Sequence, residues 1–272
     1  MGGLAVVTGT TSGIGAEVAR QLAAGGWELV LVNRDLARAQ ALADELGDSV
    51  AASIQADLAD HASLKSAAAD IASRFKRIDL LLHNAGVLLG PRRNSPQGIE
   101  MHYEVNTLAP YQLTRLLAGP LAAAGGVVLT VGSRGMLHTR DLKVDALRDP
   151  TDNRPLFGPY TQSKFAVAAV MSALAREYSD QGIVFRVCCP GPTKTEGTAG
   201  QGMPWFMRPL RAIAFKAPAA AAANLLDALD PRFGRESGLY IQDGKVRPLP
   251  PQALDKGTQQ RLLEECGQLT GV

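Results

Sequence analysis

The sequence predicts an α/β protein with a doubly wound parallel sheet and helices on both faces of that sheet. Seven short apolar segments have the length of buried strands, and they lie near residues 4–7, 28–32, 50–56, 79–83, 126–132, 183–189 and 238–242. Segments of helical composition separate them, and this alternation builds parallel sheets. A glycine-rich turn directly follows the first apolar segment, as at the start of the βαβ units of such sheets.

The length and rhythm of the chain are those of one domain. Its 272 residues are enough for a single well-buried core. No long linker interrupts the alternation of strands and helices, and the alanine-rich run from Ala219 to Leu229 has helical composition. We therefore expect a single Rossmann-type domain over residues 1–272.

The first motif with chemical content is TGTTSGIG, from Thr8 to Gly15. Strand, glycine turn and helix in this order make a phosphate site, because the free N–H groups and the positive dipole end of the helix face the anion. Gly9 permits the tight turn, Gly13 lets the backbone approach a dinucleotide pyrophosphate, and Gly15 lets the helix pack on the strand. Glycine at such a junction can also serve the turn alone, so this motif by itself leaves both interpretations open.

The end of the second strand bears on the choice of dinucleotide. An acidic residue there hydrogen-bonds the ribose 2′-hydroxyl of NAD, whereas an arginine accommodates the 2′-phosphate of NADP. Asn33 occupies the expected acidic position and Arg34 follows it, which favours NADP(H) over NAD(H). The alternative is a solvated arginine opening a helix that Asp35 caps. Asp57 and Leu58 are expected to border the adenine, although Asp57 could instead cap the helix that follows.

The second motif is YTQSK, from Tyr160 to Lys164. The two residues are four apart on a predicted helix and therefore share a face. A free phenol, with a pKa of about 10, is a poor acid or base at neutral pH. A neighbouring ammonium lowers that pKa, and reaching the neutral range needs roughly 4 kcal/mol of preferential phenolate stabilisation, part of which a cationic nicotinamide could supply. Tyrosine and lysine at this spacing also occur by chance on ordinary helix faces.

Four further segments lie in an order that supports one site. Ser133 ends the apolar segment GGVVLTVGS, where its hydroxyl could hydrogen-bond a substrate oxygen. HNAG, from His83 to Gly86, ends another apolar segment, and YEVN puts Asn106 on the next predicted helix. The segment CCPGPTKTE follows a later strand and places three residues near the nicotinamide end, namely Pro190, Gly191 and Thr195.

Taken together, these motifs resemble the pattern of the short-chain dehydrogenase/reductase family: TGxxxGxG, NAG, a helical Asn, Ser and YxxxK, then PG and a Thr. The match covers nearly all of the chain. The resemblance implies a catalytic tetrad, which consists of Asn106, Ser133, Tyr160 and Lys164. Tyr160 would be the acid or base, and Ser133 would polarise and position the substrate oxygen. Lys164 would hold the ribose and tune Tyr160, and Asn106 would anchor a water that links Lys164 to bulk proton exchange.

The resemblance also implies a set of cofactor contacts. With the residues already derived from the motifs, this set comprises Gly9, Thr11, Ser12, Gly13, Ile14, Gly15, Arg34, Asp57, Leu58, Asn84, Ala85, Gly86, Tyr160, Lys164, Pro190, Gly191 and Thr195.

The chain departs from the family pattern in two places. His83 replaces the Asn that commonly precedes NAG, and packing is its expected role because it follows a buried strand. Ser133 and Tyr160 are 27 positions apart, about twice the usual separation in the family. The intervening residues 136–159 and the C-terminal residues 237–271 resemble the retinol-dehydrogenase-like branch, which does not establish a retinoid as the substrate.

Composition excludes several other classes of protein. The net charge of +2 gives no reason to expect nucleic acid or an anionic membrane as a partner. The adjacent Cys188 and Cys189 in a predicted strand indicate reduced thiols and a cytoplasmic protein. The four histidines lack metal-site spacing, so no metal is predicted. The first strand begins almost at Met1 and no apolar run approaches 18 residues, so neither a signal peptide nor an integral membrane segment is expected.

The least regular stretch, residues 192–218, predicts a mobile lid over the substrate pocket. Apolar side chains there and beside the tetrad suit an apolar, fairly bulky substrate, and they are Met136, Leu137, Leu156, Phe157, Met203, Trp205, Phe206, Met207 and Leu210. The alternative is that some of these aromatics pack against the domain or a second subunit.

The predicted reaction is reversible hydride transfer between NADP(H) and a small-molecule carbonyl or alcohol. A dinucleotide-sensing regulatory protein without turnover is the alternative, although such a protein has no need for a proton relay from Tyr160 to Lys164. A nucleotide-sugar epimerase expects a different glycine spacing and a larger C-terminal region. The sequence leaves the physiological substrate, the favoured direction and a homo-oligomeric state open.

Overall fold

The computed structural model describes residues 2–139, 141–152, 154, 156–195, 199, 202 and 215–272. Within these residues one sheet of eight strands runs in the order β3-β2-β1-β4-β5-β6-β7-β8. The strands are β1 (Leu4–Thr8), β2 (Glu28–Asn33), β3 (Val50–Gln55), β4 (Leu80–His83), β5 (Val127–Val131), β6 (Val184–Cys189), β7 (Leu239–Gln242) and β8 (Lys245–Arg247). The first seven are parallel, so the predicted fold class is confirmed.

The eighth strand was not predicted. β8 pairs antiparallel with β7, and the two-residue connection Asp243–Gly244 has positive φ at both residues, 49° and 69°. This is the geometry of a type I′ hairpin turn, for which Asp-Gly is a favoured sequence. All three residues of β8 are exposed, so the strand carries no alternating apolar pattern.

Helices cover both faces of the sheet. They are α1 (Gly13–Ala24), α2 (Leu36–Leu46), α3 (His61–Arg74), α4 (Met101–Tyr103), α5 (Ala109–Leu116), α6 (Ala118–Ala124), α7 (Pro159–Glu177), α8 (Pro218–Leu226), α9 (Pro251–Leu254) and α10 (Lys256–Thr270). A π-helical turn over Glu104–Leu108 joins α4 to α5. No described helix combines the length and the apolar character needed to span a bilayer.

The core consists of two apolar clusters, one on each face of the sheet. Successive residues of β1 alternate between them: Val6 belongs to the cluster that contains side chains of α3, α5, α7 and α10, and Val7 to the cluster that contains side chains of α1, α2 and α8. Both residues are fully buried. Strands that are buried on both faces in this way explain the continuous apolar segments of the sequence.

Hydrogen bonds at the N-termini of α2 and α3 show which residues cap these two helices. The Asp35 carboxylate accepts a hydrogen bond from the Arg38 N–H at 3.1 Å and caps α2. Asp60, rather than Asp57, caps α3 by accepting from the backbone of Ala62 at 2.9 Å. Asp57 instead accepts from the Ala59 N–H, so the expectation that it could cap this helix is wrong.

The strand order reverses between β1 and β4, and this reversal places the site. In open α/β sheets ligands bind outside the carboxyl ends of the strands at such a reversal. β1, β4, β5 and β6 are parallel neighbours that end at one edge of the sheet, and each is followed directly by residues that the sequence singled out. The glycine-rich turn follows β1, NAG follows β4, Ser133 follows β5, and Pro190–Gly191 follows β6.

Candidate active site

The glycine-rich turn after β1 is tied to the NAG segment after β4. Thr8 Oγ1 accepts from the backbone N–H groups of Asn84 and Ala85 at 3.2 and 3.1 Å. The Asn84 amide group donates to the carbonyl oxygens of Thr8 and Gly9 at 3.0 and 2.9 Å. Both amide hydrogens of Asn84 therefore hold the turn, and Thr8 has a bracing role that the sequence analysis did not assign to it.

Two of the motif glycines are required by close approach and by backbone conformation. Gly9 has φ of 72°, and a Cβ built on it would lie 2.8 Å from the Ala85 Cβ. A Cβ on Gly15 would lie 2.0 Å from the Gly9 carbonyl oxygen. Any side chain at Gly15 would push α1 away from the glycine-rich turn. Gly15 therefore serves helix packing as expected, and the part of the chain that packs closest to it is the turn.

The N-terminus of α1 has the donors of an anion site. Within the described chain, Ser12 at the N-cap makes no side-chain capping hydrogen bond, and the first turn of α1 contains no acidic residue. The first N–H groups of a helix have no partner inside the helix, and the dipole makes this end positive. Thr195 lies beside it, because a Cβ on Gly13 would be 3.3 Å from the Thr195 Cγ2. The turn and helix thus fit a dinucleotide pyrophosphate.

The two residues at the end of β2, Asn33 and Arg34, differ in burial and in hydrogen bonding. Asn33 is buried, and its amide accepts from the Thr10 N–H at 2.7 Å and donates to the Thr10 hydroxyl at 2.8 Å. Asn33 therefore supports the glycine-rich turn. The Arg34 side chain is exposed, and its guanidinium makes no hydrogen bond or ion pair with any other described residue. An uncommitted cation at this strand end suits a 2′-phosphate.

Ser133, Tyr160 and Lys164 meet where β5 ends and α7 begins. Tyr160 lies in the first turn of α7, and the Ser133 hydroxyl is near enough to the Tyr160 hydroxyl to lower its pKa. Lys164, one turn further along α7, is buried and donates from Nζ to the Val131 carbonyl oxygen at 2.8 Å. Ser133 also accepts from the Gly135 N–H at 3.1 Å, which fixes its hydroxyl.

Asn106 lies beside this group on the π-helical turn, a feature that the sequence analysis did not predict. Its Oδ1 accepts from the Val87 N–H at 2.9 Å, and its Nδ2 donates to the Val87 carbonyl and the Ser163 hydroxyl at 3.1 and 3.0 Å. A Cβ on Gly86 would lie 3.0 Å from Asn106 Oδ1 and 3.5 Å from Lys164 Nζ. The NAG segment therefore lies against both side chains. Single π turns inside helices often occur at functional sites.

Burial shifts the pKa values of the two titratable groups in opposite senses. It raises the pKa of Tyr160 above its ordinary value, and the nearby Ser133 hydroxyl only partly opposes this. It lowers the pKa of the Lys164 amine to about 8. The expectation that Lys164 lowers the Tyr160 pKa is not met in this structure, because desolvation of the phenolate is the larger effect.

His83 has the packing role that the sequence predicts. It is buried, its Nε2 hydrogen-bonds the Thr114 hydroxyl at 2.8 Å, and burial lowers its pKa to about 3. The imidazole is therefore neutral at neutral pH.

The apolar side chains expected around the substrate are only partly described. Met136 is fully buried in the core, whereas Leu137 and Phe157 are exposed. Phe157 lines a cavity of about 510 Å³ that has both polar and apolar walls. Five of the expected residues lie outside the described residues, and they are Met203, Trp205, Phe206, Met207 and Leu210.

The two ends of the expected lid meet in a short stem. Thr193 and Lys216 form a parallel bridge. The Lys216 N–H donates to the Pro192 carbonyl at 2.8 Å, and the Lys194 N–H donates to the Lys216 carbonyl at 3.0 Å. Residues 192–194, which follow β6, therefore lie directly beside Lys216, which precedes α8.

Sequence and structure comparisons identify the class of protein. A family model described as enoyl-(acyl carrier protein) reductase matches residues 9–224. A 3-ketoacyl-(acyl-carrier-protein) reductase from Brucella melitensis, solved with NADH, is 27% identical with a TM-score of 0.69 over 89% of this chain and 96% of that one. A short chain dehydrogenase from Burkholderia cenocepacia, solved with NADP, is 26% identical with a TM-score of 0.68 over 88% and 94%. The chain belongs to the short-chain dehydrogenase/reductase family.

Curated relatives place it more narrowly. Polyprenol dehydrogenase of Mus musculus is 33% identical over all of this chain and 84% of the relative. Human retinol dehydrogenase 13 is 30% identical over 98% of this chain and 84% of the relative. The resemblance to the retinol-dehydrogenase-like branch is thus confirmed, and the protein is an oxidoreductase of the class that interconverts CH–OH and C=O groups.

Proposed function

We propose that this protein catalyses reversible hydride transfer between NADP(H) and a carbonyl or alcohol carbon of an apolar small molecule. The observation that carries the proposal is the grouping of the Tyr160 and Ser133 hydroxyls at one place, with Lys164 one turn further along α7. This group lies at the same sheet edge as the glycine-rich turn. A site that only senses a dinucleotide has no use for a proton donor of this kind.

The cofactor would lie across the strand ends of the sheet. The glycine-rich turn and the N-terminus of α1 would hold its pyrophosphate, Arg34 its 2′-phosphate, and Asp57 and Leu58 its adenine. Gly86, Lys164 and the segment from Pro190 to Thr195 would border the ribose and nicotinamide. Bound there, the dinucleotide supplies the hydride donor or acceptor.

The protein's own task is to move one proton and to orient one oxygen. In reduction the Tyr160 hydroxyl would donate its proton to the carbonyl oxygen, and in oxidation the phenolate would accept it. Ser133 would hydrogen-bond the same oxygen, and the Lys164 ammonium would stabilise the phenolate. Burial keeps Tyr160 protonated at neutral pH, which suits reduction.

Asn106 would support the proton relay through its place on the π turn. Both hydrogens of its amide are already donated, to Val87 and Ser163. A relaying water could therefore use only the remaining lone pair of Asn106 Oδ1 or a nearby backbone carbonyl.

The names of the relatives support an apolar substrate. Polyprenol and retinol, which name two of them, are isoprenoid alcohols with a single polar group. An apolar pocket holds such molecules by contact area and orients them by few polar contacts.

A carbonyl panel with NADPH, run beside matched NADH controls, tests the function. Each added buried methylene in a homologous aldehyde series should contribute about 0.8 kcal/mol, so kcat/KM should rise roughly fourfold per methylene until the pocket is full. Flat kcat/KM along the series, or a preference for sugars, would reject the apolar pocket. Tight NADPH binding without turnover on any substrate would favour the regulatory alternative.

The cofactor preference is tested by Arg34→Asp. A charge-assisted hydrogen bond contributes about 1.5–3 kcal/mol, so its loss should weaken NADPH binding at least tenfold. NADH binding should be retained or improved, because a carboxylate can accept from the ribose hydroxyls. Fluorescence titration with each dinucleotide measures both effects. Lys256→Asp, an equal change of charge on the exposed start of α10, is the control, and an unchanged NADPH affinity in Arg34→Asp would make Arg34 a mere surface residue.

A further inference from the structure

His102 and Glu100 form a buried pair beside the candidate site, and neither belongs to the tetrad or to the expected cofactor contacts. The exposed fractions of the two residues are only 4% and 1%. His102 Nδ1 lies 2.6 Å from Glu100 Oε1. The pair stands at the start of α4, four residues before Asn106.

Both nitrogens of the His102 ring are committed. The Leu89 N–H donates to His102 Nε2 at 2.9 Å, so Nε2 must offer its lone pair. Nδ1 then carries the proton and donates to Glu100, which fixes one neutral tautomer. The second carboxylate oxygen of Glu100 accepts from the backbone N–H groups of His102 and Tyr103 at 2.9 and 3.0 Å and caps the helix. The plane of the imidazole is thereby set by hydrogen bonds on both sides.

This fixed ring packs against Tyr160. The two ring centroids are 6.1 Å apart and the planes are 80° to each other, an edge-to-face contact. The Ser133 hydroxyl lies near the hydroxyl end of Tyr160, and His102 contacts its ring. Leu89 follows the NAG segment, so the same imidazole also joins that segment to the start of α4.

We propose that His102, oriented by Glu100 and by the Leu89 N–H, is a positioning residue that sets the direction of the Tyr160 hydroxyl. The proposal rests on the proposed function, since it takes Tyr160 as the acid or base. His102 acts through the Tyr160 ring and donates no proton to the substrate. A hydroxyl displaced by a fraction of an ångström loses its alignment with the substrate oxygen, and such displacements reduce rates strongly.

The test is His102→Gln, which removes the ring while keeping a polar side chain that can accept from Leu89. We expect kcat to fall about tenfold, with NADPH Kd and carbonyl KM changing less than twofold. The alkaline limb of the kcat profile should move as well, because the surroundings of the Tyr160 hydroxyl change. His102→Phe keeps an aromatic edge against Tyr160 and should recover part of the lost kcat. Rates are expressed per NADPH-binding site, so a loss of folded protein does not count as a loss of catalysis.

The double variant His102→Gln/Tyr160→Phe separates the possible outcomes. If His102 acts through the Tyr160 hydroxyl, the double variant should be no slower than Tyr160→Phe alone. His83→Asn, another buried histidine replaced by an amide, is the control and should retain kcat. Wild-type kcat and pH profile in His102→Gln, or additive losses in the double variant, would overturn the positioning role. An active Tyr160→Phe variant would instead overturn the acid–base assignment of the proposed function.

Discussion

Replacing Tyr160 by phenylalanine is expected to lower kcat by about 10²–10⁴-fold, the usual contribution of general acid–base catalysis. Only the hydroxyl is lost, and the phenylalanine ring retains the edge-to-face contact with His102. Since the expected cofactor contacts are otherwise intact, NADPH affinity should change little. Stopped-flow hydride transfer gives the rate, and a fluorescence titration gives the affinity.

The pH dependence adds a second readout for the same residue. Burial raises the Tyr160 pKa, so the protonated form persists through the neutral range. Reduction by the wild type should therefore be flat near neutrality and fall only at alkaline pH, whereas oxidation should rise with pH. Both dependences should vanish from the residual activity of Tyr160→Phe. The control is Tyr178→Phe, which removes a hydroxyl just beyond the C-terminal end of α7 and should keep kcat and both pH dependences. Near-wild-type kcat in Tyr160→Phe would refute the assignment of Tyr160 as the acid or base.

Replacing Lys164 by methionine should have opposite effects on activity and on stability. Activity should fall at least a hundredfold, because the proposed roles of the ammonium, stabilising the phenolate and holding the ribose, are lost. The free energy of unfolding without cofactor should rise by about 1–3 kcal/mol at pH 7. Burial lowers the Lys164 pKa from 10.5 to about 8, so the buried charge destabilises the folded protein by about 3 kcal/mol at most. Lys164→Met removes this destabilisation, but it also removes the hydrogen bond to Val131, which stabilises the fold by about 1 kcal/mol.

The sign of the pH effect follows from the same pKa values. Below pH 8 the amine is protonated in both the folded and unfolded states, and the full cost of burying the charge is present. As pH rises from 8 to 10.5 the folded protein has lost the proton and the unfolded chain has not, so wild-type stability increases. The advantage of Lys164→Met should therefore shrink over this range.

Chemical denaturation at several pH values measures this advantage. Lys76→Met is a matched control, because Lys76 also donates to a backbone carbonyl, at 3.0 Å, but is exposed. It should change stability little at any pH. A Lys164→Met variant that is less stable than wild type at pH 7 would show that the buried amine is compensated in the folded protein.

The fold could be predicted because most of the parallel strands are buried on both faces and appear in the sequence as continuous apolar segments. The edge strand β3 exposes Ser53 and Gln55, yet all seven parallel strands were recognisable. β8 could not be predicted in the same way, since Lys245, Val246 and Arg247 are all exposed and bury no face. The Asp243–Gly244 pair was the available signal, as it carries the turn chemistry of a hairpin.

The candidate site was predictable in its residues but not in their partners. The order of the motifs predicted that Ser133, Tyr160 and Lys164 lie together. The carboxyl ends of neighbouring parallel strands lie at one edge of the sheet, and this does not depend on the length of the loops between them. The bonds between Asn33 and Thr10, and between His102 and Leu89, join segments that no local pattern connects. The direction of the Tyr160 pKa likewise depends on how deeply the finished fold encloses the ring.

The stem formed by Pro192, Thr193 and Lys216 joins the two ends of the chain segment between residues 193 and 216. Both of its ends are anchored by backbone hydrogen bonds, so a change in the sequence between them leaves the anchor chemistry intact. Doubling the length of a loop costs in general only about 0.6 kcal/mol in closure entropy. We therefore expect insertions and deletions between the two anchors to leave the sheet, the glycine-rich turn and the group of Ser133, Tyr160 and Lys164 unaltered.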